Sequence, residues 1–324
     1  MQCRPLGQTG LQVSAIGFGA WGIGGHTHGG RSYGPTDDKT SLATLDAALD
    51  AGITFYDTAP LYGLGHSEEL IGRAFQGRRD RVVIATKVGY QDFASPPDYS
   101  PDGIRRSLEG SLRRLRSDYV DVLQLHDPGD GVLADNPEVM ATLQALRAEG
   151  VIRVIGVSVK SPSHAIPLME GGVVKVIQAN FNMMDLRAVE CGLMARAESL
   201  GVGIIARTPL CFGFLTGRLD GTEDFPAEDH RSLWPRRQLQ AWADGARHLL
   251  DTEDRDQDEC GTTTALRFVL SFPAVATTIP GMLTPAHVKE NAEAGRRRPL
   301  SVPAVAEVLR RCRAHGGFMA QREE

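Results

Sequence analysis

Short, wholly apolar runs alternate with longer amphipathic ones along most of this chain. Residues 53–57 show the pattern clearly: Ile53, Thr54, Phe55 and Tyr56 form a β-branched and aromatic run that ends on Asp57. A Pro/Gly loop follows, and Ser67-Glu68-Glu69 then opens a helical pattern with Leu70, Ile71, Ala74 and Phe75 on its apolar side. The same reading predicts strands at 15–18, 54–57, 82–87, 120–126, 154–158, 176–180, 203–207 and 276–279. Helices are predicted from Asp37 or Asp38 to 50, and over 66–75, 101–115, 137–149, 163–171, 188–200, 262–272, 285–294 and 303–314. Residues 4–13 read as a hairpin around Gly7-Gln8-Thr9-Gly10.

The strands are apolar throughout, which fits parallel strands with helices on one side and core on the other. Counting 15–18, eight strand–helix pairs run without a break in composition. That repetition predicts an α/β protein, a closed (β/α)8 barrel forming one domain over 1–324. Two stretches interrupt the period. Residues 210–240 are rich in Gly, Pro and charge, too long for an idle connection. Residues 251–259 are acidic and read, like Arg296-Arg297-Arg298, as solvated surface. Gly17, Gly19 and Gly22 satisfy GxGxxG, but glycines continue to Gly30 where a dinucleotide fingerprint needs a helix to begin.

Composition narrows the function. The 324 residues are 42% hydrophobic with a net charge of −5, which offers no general attraction for nucleic acid or an anionic membrane. Five cysteines, widely scattered, predict neither a disulfide framework nor a zinc site, and a reducing compartment. His26 and His28 lack a third ligand, so no metal is expected. The opening residues are polar and no apolar run reaches the ~20 residues of a membrane helix, so the expected location is cytoplasmic. Nothing in the pattern specifies an oligomeric state.

In a barrel of this kind the loops after the strands form the active-site face. Asp57, Lys87 and His126 each end a strand, and Tyr62 lies five residues beyond Asp57. Together they suit carbonyl chemistry. A phenol can protonate a developing alkoxide, an ammonium favours its ionised form, a carboxylate holds the ammonium, and an imidazole polarises the carbonyl.

The segments DTAPLYGLGHSEELIG, VVIATKVG and YVDVLQLHDP, in that order and spacing, resemble the aldo-keto reductase superfamily. The likeness runs from RPLGQTGLQVSAIGFGAW to IPGMLTPAHVKENAEA. It implies a barrel with an N-terminal hairpin over its floor, NADP or NAD as cofactor without a Rossmann fold, and no metal. It also implies Tyr62 as general acid/base, tuned by Lys87 and Asp57, with His126 orienting the carbonyl. By the same matching Ser158 and Gln178 meet the nicotinamide amide, with Val159 where an asparagine is usual. Arg207 stands where many members stack an aromatic ring, and its planar guanidinium can stack too. Pro209, Leu210, Gly213, Leu215, Gly217 and Arg218 correspond to the pyrophosphate loop. Gly281, Met282, Leu283 and His287 fall around the 2′-phosphate position, where their lack of fixed positive charge leaves NADP and NAD both open. Glu290 and Asn291 match adenine contacts, and Gly19, Trp21 and Ile279 complete the cofactor set. Trp21, Tyr62, His126, Arg231 and Trp234 are the substrate-side candidates; in the 210–240 insertion, Asp229, Arg236 and Arg237 join them, against a plain solvated segment.

The implied activity is NAD(P)-dependent hydride transfer on a small aldehyde, ketone or sugar-like substrate. A redox-neutral epimerase or dehydratase with retained nicotinamide, and a non-catalytic cofactor sensor, are the alternatives.

Overall fold

The structure, a computed structural model, describes residues 1–26, 32–129 and 131–315. It opens with the predicted hairpin, β1 (Cys3–Pro5) antiparallel to β2 (Gln12–Ser14). Eight parallel strands follow: β3 (Phe18–Gly19), β4 (Phe55–Asp57), β5 (Val83–Val88), β6 (Val120–His126), β7 (Ile152–Val159), β8 (Val176–Asn180), β9 (Gly203–Arg207) and β10 (Val275–Thr278). They neighbour one another in chain order. Main-chain bonds close the ring: Gly17 N–H donates to the Thr278 carbonyl (2.8 Å) and Thr278 N–H to that of Ala15 (3.0 Å). Gly19 is required at this seam, because a Cβ there would sit 2.6 Å from the Ile279 carbonyl oxygen. The glycine pattern that mimics a dinucleotide fingerprint therefore serves barrel closure.

The outer layer begins with α1 (Asp38–Asp50), α2 (His66–Ala74), α3 (Pro101–Leu115), α4 (Val132–Asp135), α5 (Pro137–Ala148) and α6 (Ala165–Glu170). It continues with α7 (Arg187–Glu190), α8 (Leu193–Leu200), α9 (Arg236–Leu249), α10 (Gly261–Leu270), α11 (Pro285–Ala294) and α12 (Val302–Ala314). The predicted helix over 188–200 is interrupted at Gly192, which takes a left-handed φ of 81°. The largest departure is α9, inside and beyond the stretch read as irregular. Its apolar residues Leu239, Trp242, Ala243, Ala246 and Leu249 are buried at helical spacing. The acidic stretch also departs from a fully solvated surface. Glu259 is 3% exposed, receives Arg267 Nη1 at 2.5 Å and accepts from the Thr264 hydroxyl at 2.9 Å.

The core has two layers. One lies between strands and helices; the other fills the barrel. In the inner layer Leu6 and Val13 of the hairpin plug the floor against Phe55, Ala85, Val122, Val154, Val176, Ile205 and Ala276, one residue from each of seven strands. Side chains alternate sides along a strand, so the next inward positions lie two residues on. From Phe55 that step gives Asp57, from Ala85 Lys87, from Val122 Gln124, from Val176 Gln178 and from Ile205 Arg207. The barrel interior is apolar below and polar at the C-terminal mouth. Among the described residues no helix is long and apolar enough to cross a membrane.

Candidate active site

Lys87 lies at the centre of the mouth, with no exposed surface. Its ammonium donates to Asp57 Oδ2 at 2.7 Å, to the Thr58 carbonyl at 2.9 Å and to the Tyr62 hydroxyl at 3.1 Å. The other oxygen of Asp57 accepts from Gln178 Nε2 at 2.7 Å and from Gln124 Nε2 at 3.1 Å. Ser158 donates to Gln178 Oε1 at 3.1 Å. Five strands thus meet in one hydrogen-bonded group. Gln124 went unmarked in the sequence reading; its signal was its place two residues before His126 on the inward face of β6.

The loop bearing Tyr62 is pinned from both sides. Gly63 has φ +65°, and a Cβ on it would lie 2.2 Å from the Gly24 carbonyl oxygen, so the two backbones touch. The first turn of α2 holds the strand ends beneath. Ser67 donates to the Ala20 carbonyl at 2.9 Å and bonds Thr58 at 2.9 Å. Buried Glu68 accepts from Thr86 at 2.5 Å and from Arg114 Nε at 2.7 Å.

The electrostatics follow from burial. Burial pushes the Tyr62 phenol above its ordinary value, and the Lys87 charge opposes this without cancelling it. The ammonium thus acts in the direction expected of it, but burial is the larger effect and the hydroxyl keeps its proton. Burial is the largest single influence on the Lys87 ammonium and works against it, yet Asp57 and Tyr62 together outweigh it and the lysine is held above its usual range. His126 is driven well below the ordinary imidazole value by burial first, then by the charges of Lys87, Arg207 and Lys160. Its ring is edge-on to Tyr62 (6.3 Å) and Tyr90 (5.5 Å), and its Nδ1 is buried with no partner.

A cleft of ≈ 750 Å³ runs from this mouth across the loops after β9 and β10. Asp57, Tyr62 and His126 line it together with Gly19, Trp21, Gln178, Arg207, Pro209, Leu210, Gly213, Arg218, Arg231, Ile279, Gly281, His287, Glu290 and Asn291. Other expected positions are not in its wall. Ser158 lies behind Gln178, Leu215 and Met282 are fully buried, and Gly217 faces a separate small cleft. Trp234 packs on Phe212 (5.9 Å) and Trp242 (4.9 Å) rather than lining the wall. Asp229 is buried against Arg231 at 2.6 Å, and Arg236 pairs with Asp224 on the surface. Tyr33, Phe93, Lys160, Phe212 and Thr262 line the cleft without having been singled out. Val159 contributes only its carbonyl, which accepts from Arg207 Nη2 at 3.0 Å.

The far end is polar. Glu290 accepts from Arg218 at 2.6 Å and from the Thr262 hydroxyl, and the Leu283 N–H donates to His287 Nδ1 at 3.3 Å. A volume of this size, and an unpartnered Arg207 Nε and His126 Nδ1, suit an extended polar ligand such as a dinucleotide. Among the described residues no cluster of three or more His, Cys, Asp or Glu could hold a metal; His26 is exposed and His28 lies outside them.

A parallel barrel with this constellation at its C-terminal mouth defines a class, the barrel-fold oxidoreductases that use NADP or NAD. The chain belongs to the aldo/keto reductase family, whose model matches residues 15–310. It is 31% identical over 301 residues to the aldo-keto reductase YhdN of Bacillus subtilis, covering 90% of this chain and 88% of that protein. It is 30% identical over 316 residues to the NADH-specific methylglyoxal reductase of Escherichia coli, covering 91% and 93%. The glycerol dehydrogenase AKR11B4 of Gluconobacter oxydans superposes with a TM-score of 0.82 at 29% identity, over 99% and 98% of the two chains.

Proposed function

We propose that this protein reduces a small aldehyde or ketone at the expense of NADH or NADPH, with Tyr62 delivering the proton. The observation that carries the reading is the Lys87 ammonium, 3.1 Å from the Tyr62 hydroxyl and 2.7 Å from Asp57, inside a cleft that extends along the barrel mouth. The cofactor, when bound, supplies a hydride to the carbonyl carbon. Gln178 would hold its amide, with Ser158 fixing it from behind: one Gln178 N–H is taken by Asp57 and one Oε1 lone pair by Ser158, which leaves one of each. Arg207, the 209–213 turn and Arg218 would border the ring and the pyrophosphate, with Glu290 and Asn291 towards the adenine.

The chain's own residues then handle charge and proton. The carbonyl oxygen lies within reach of Tyr62 and His126, and the neutral imidazole donates a hydrogen bond to it. As charge develops on that oxygen the Tyr62 phenol gives up its proton. The adjoining ammonium, anchored by Asp57, stabilises the phenolate that forms. The burial of Lys87 and Asp57 keeps bulk water from competing for the ammonium. The substrate class is supported by the aromatic wall of Trp21, Tyr33 and Phe93 and by the small molecules in the relatives' names.

The test follows nicotinamide absorbance with methylglyoxal and dihydroxyacetone as probes. Tyr62→Phe should lower kcat by about 10²–10⁴-fold while cofactor affinity stays within about twofold, since the hydroxyl acts only as acid. Unchanged kcat in that variant would remove Tyr62 from the mechanism.

A further inference from the structure

Each other cation at the cleft has a carboxylate against it. Lys87 has Asp57 at 2.7 Å, Lys160 has Asp127 at 2.7 Å, Arg218 has Glu290 at 2.6 Å and Arg231 has Asp229 at 2.6 Å. Arg207 has none within ion-pairing distance among the described residues. Its Nη2 donates to the Val159 carbonyl at 3.0 Å, and its Nε is buried without a partner. The inner cleft therefore carries one uncompensated positive charge.

Its position decides what that charge acts on. Arg207 ends β9 opposite Asn180, two residues beyond Gln178 on the inward face of β8. Its charge is felt by the His126 ring and it in turn feels Tyr62, Asp127, Asp57 and Arg187. A hydride donor must approach the carbonyl carbon to about 3–3.5 Å. With the carbonyl oxygen at Tyr62 and His126, and the amide at Gln178, the nicotinamide ring falls in the space that Arg207 borders. That ring carries a unit positive charge when oxidised and none when reduced.

We propose that Arg207 makes cofactor affinity depend on redox state, favouring the reduced nicotinamide over the oxidised one, so that the site loads with reduced cofactor and lets the oxidised form go. The inference rests on the cofactor placement above. Where many family members put an uncharged aromatic ring, this chain puts a planar cation, which can stack in both states but repels the pyridinium. At the effective permittivity of about 20 found near protein surfaces, two unit charges about 5 Å apart alter affinity by well over tenfold, against about fourfold in bulk water, so about tenfold is expected in a partly screened cleft. Each tenfold preference for the reduced form raises the two-electron potential of the bound couple by ~30 mV.

Calorimetric titration of the full chain with NADH, NAD⁺, NADPH and NADP⁺ reads this directly. The wild type should bind the oxidised member of the preferred pair at least about tenfold more weakly than the reduced one. Arg207→Gln should shrink that ratio by about tenfold, whereas Arg207→Lys, which keeps the charge, should hold it within about threefold. A wild-type ratio near one overturns the proposal. So does an unchanged ratio in Arg207→Gln, the result expected if the guanidinium only stacks or anchors a substrate anion. If circular dichroism shows Arg207→Gln unfolded, the wild-type and Arg207→Lys ratios decide. Binding of neither form by the wild type would overturn the cofactor reading and this inference together; binding of both with an invariant ratio would overturn this inference alone.

Discussion

Replacing Lys87 by methionine isolates the pair at the centre of the mouth. Methionine fills most of the same space but supplies no donor. Three bonds disappear at once, to Asp57 Oδ2 (2.7 Å), the Thr58 carbonyl (2.9 Å) and Tyr62 (3.1 Å). Removing one member of a buried ion pair costs about 3–5 kcal/mol, because the remaining charge is left uncompensated. Here the lower end applies, since Gln124 and Gln178 still donate to Asp57 Oδ1. Unfolding entropy of roughly 2.1 cal/mol/K per residue gives about 0.7 kcal/mol/K for the whole chain, so about 3 kcal/mol lowers Tm by about 4 °C. The double variant Asp57→Asn/Lys87→Met removes the stranded charge and should recover half or more of that loss. Thermal unfolding followed by circular dichroism checks both. A Lys87→Met protein within about 1 kcal/mol of wild type, or a double variant no more stable than the single one, would refute the uncompensated-charge argument.

Two further outcomes follow from the charges around the cleft. Because the folded-state pKa of His126 is depressed, the unfolded chain binds a proton below about pH 6.5 that the folded ring refuses; its contribution is full above that pH and is lost as pH falls, by about 1 kcal/mol at pH 5.5. His126→Gln should flatten the urea-midpoint profile between pH 7 and 5.5, and parallel profiles for the two proteins would refute the assignment. At the far end Arg218 is already bound by Glu290, and burial holds His287 below its ordinary value, so a 2′-phosphate meets little free positive charge. NADH should therefore bind more tightly than NADPH in calorimetry, and Glu290→Gln should move the ratio towards NADPH by about fivefold; a wild type preferring NADPH would contradict this.

The alternation of apolar runs and amphipathic helices was legible because a parallel barrel repeats one local pattern. Strand ends at Asp57, Lys87 and His126 were legible because an ionisable residue abruptly closes each run. Helix α9 was hidden by the charged, Pro-containing stretch before it, although the spacing of Trp242, Ala246 and Leu249 carried a helical period. Gln124 was hidden for the opposite reason. It lies within an otherwise apolar strand, and only the inward register of the closed barrel shows that it faces Asp57. The direction of the Tyr62 shift was beyond reach, since it depends on how far burial outweighs one ammonium. Glu259 was hidden in an acidic run; only the fold brings Arg267 against it.

The two oxygens of Asp57 do different work. Oδ2 faces the ammonium that meets Tyr62, while Oδ1 gathers Gln124 and Gln178, and Gln178 in turn receives Ser158. A planar carboxylate cannot rotate towards one set without loosening the other. On the proposed reading, the groups that hold the cofactor amide and the group that hands over the proton are therefore fixed relative to each other by one buried side chain. The distances that matter for hydride and proton transfer are then set by strand register inside the barrel. The loops after β9 and β10 shape the outer cleft, where they can differ between relatives without moving the phenol from the ring.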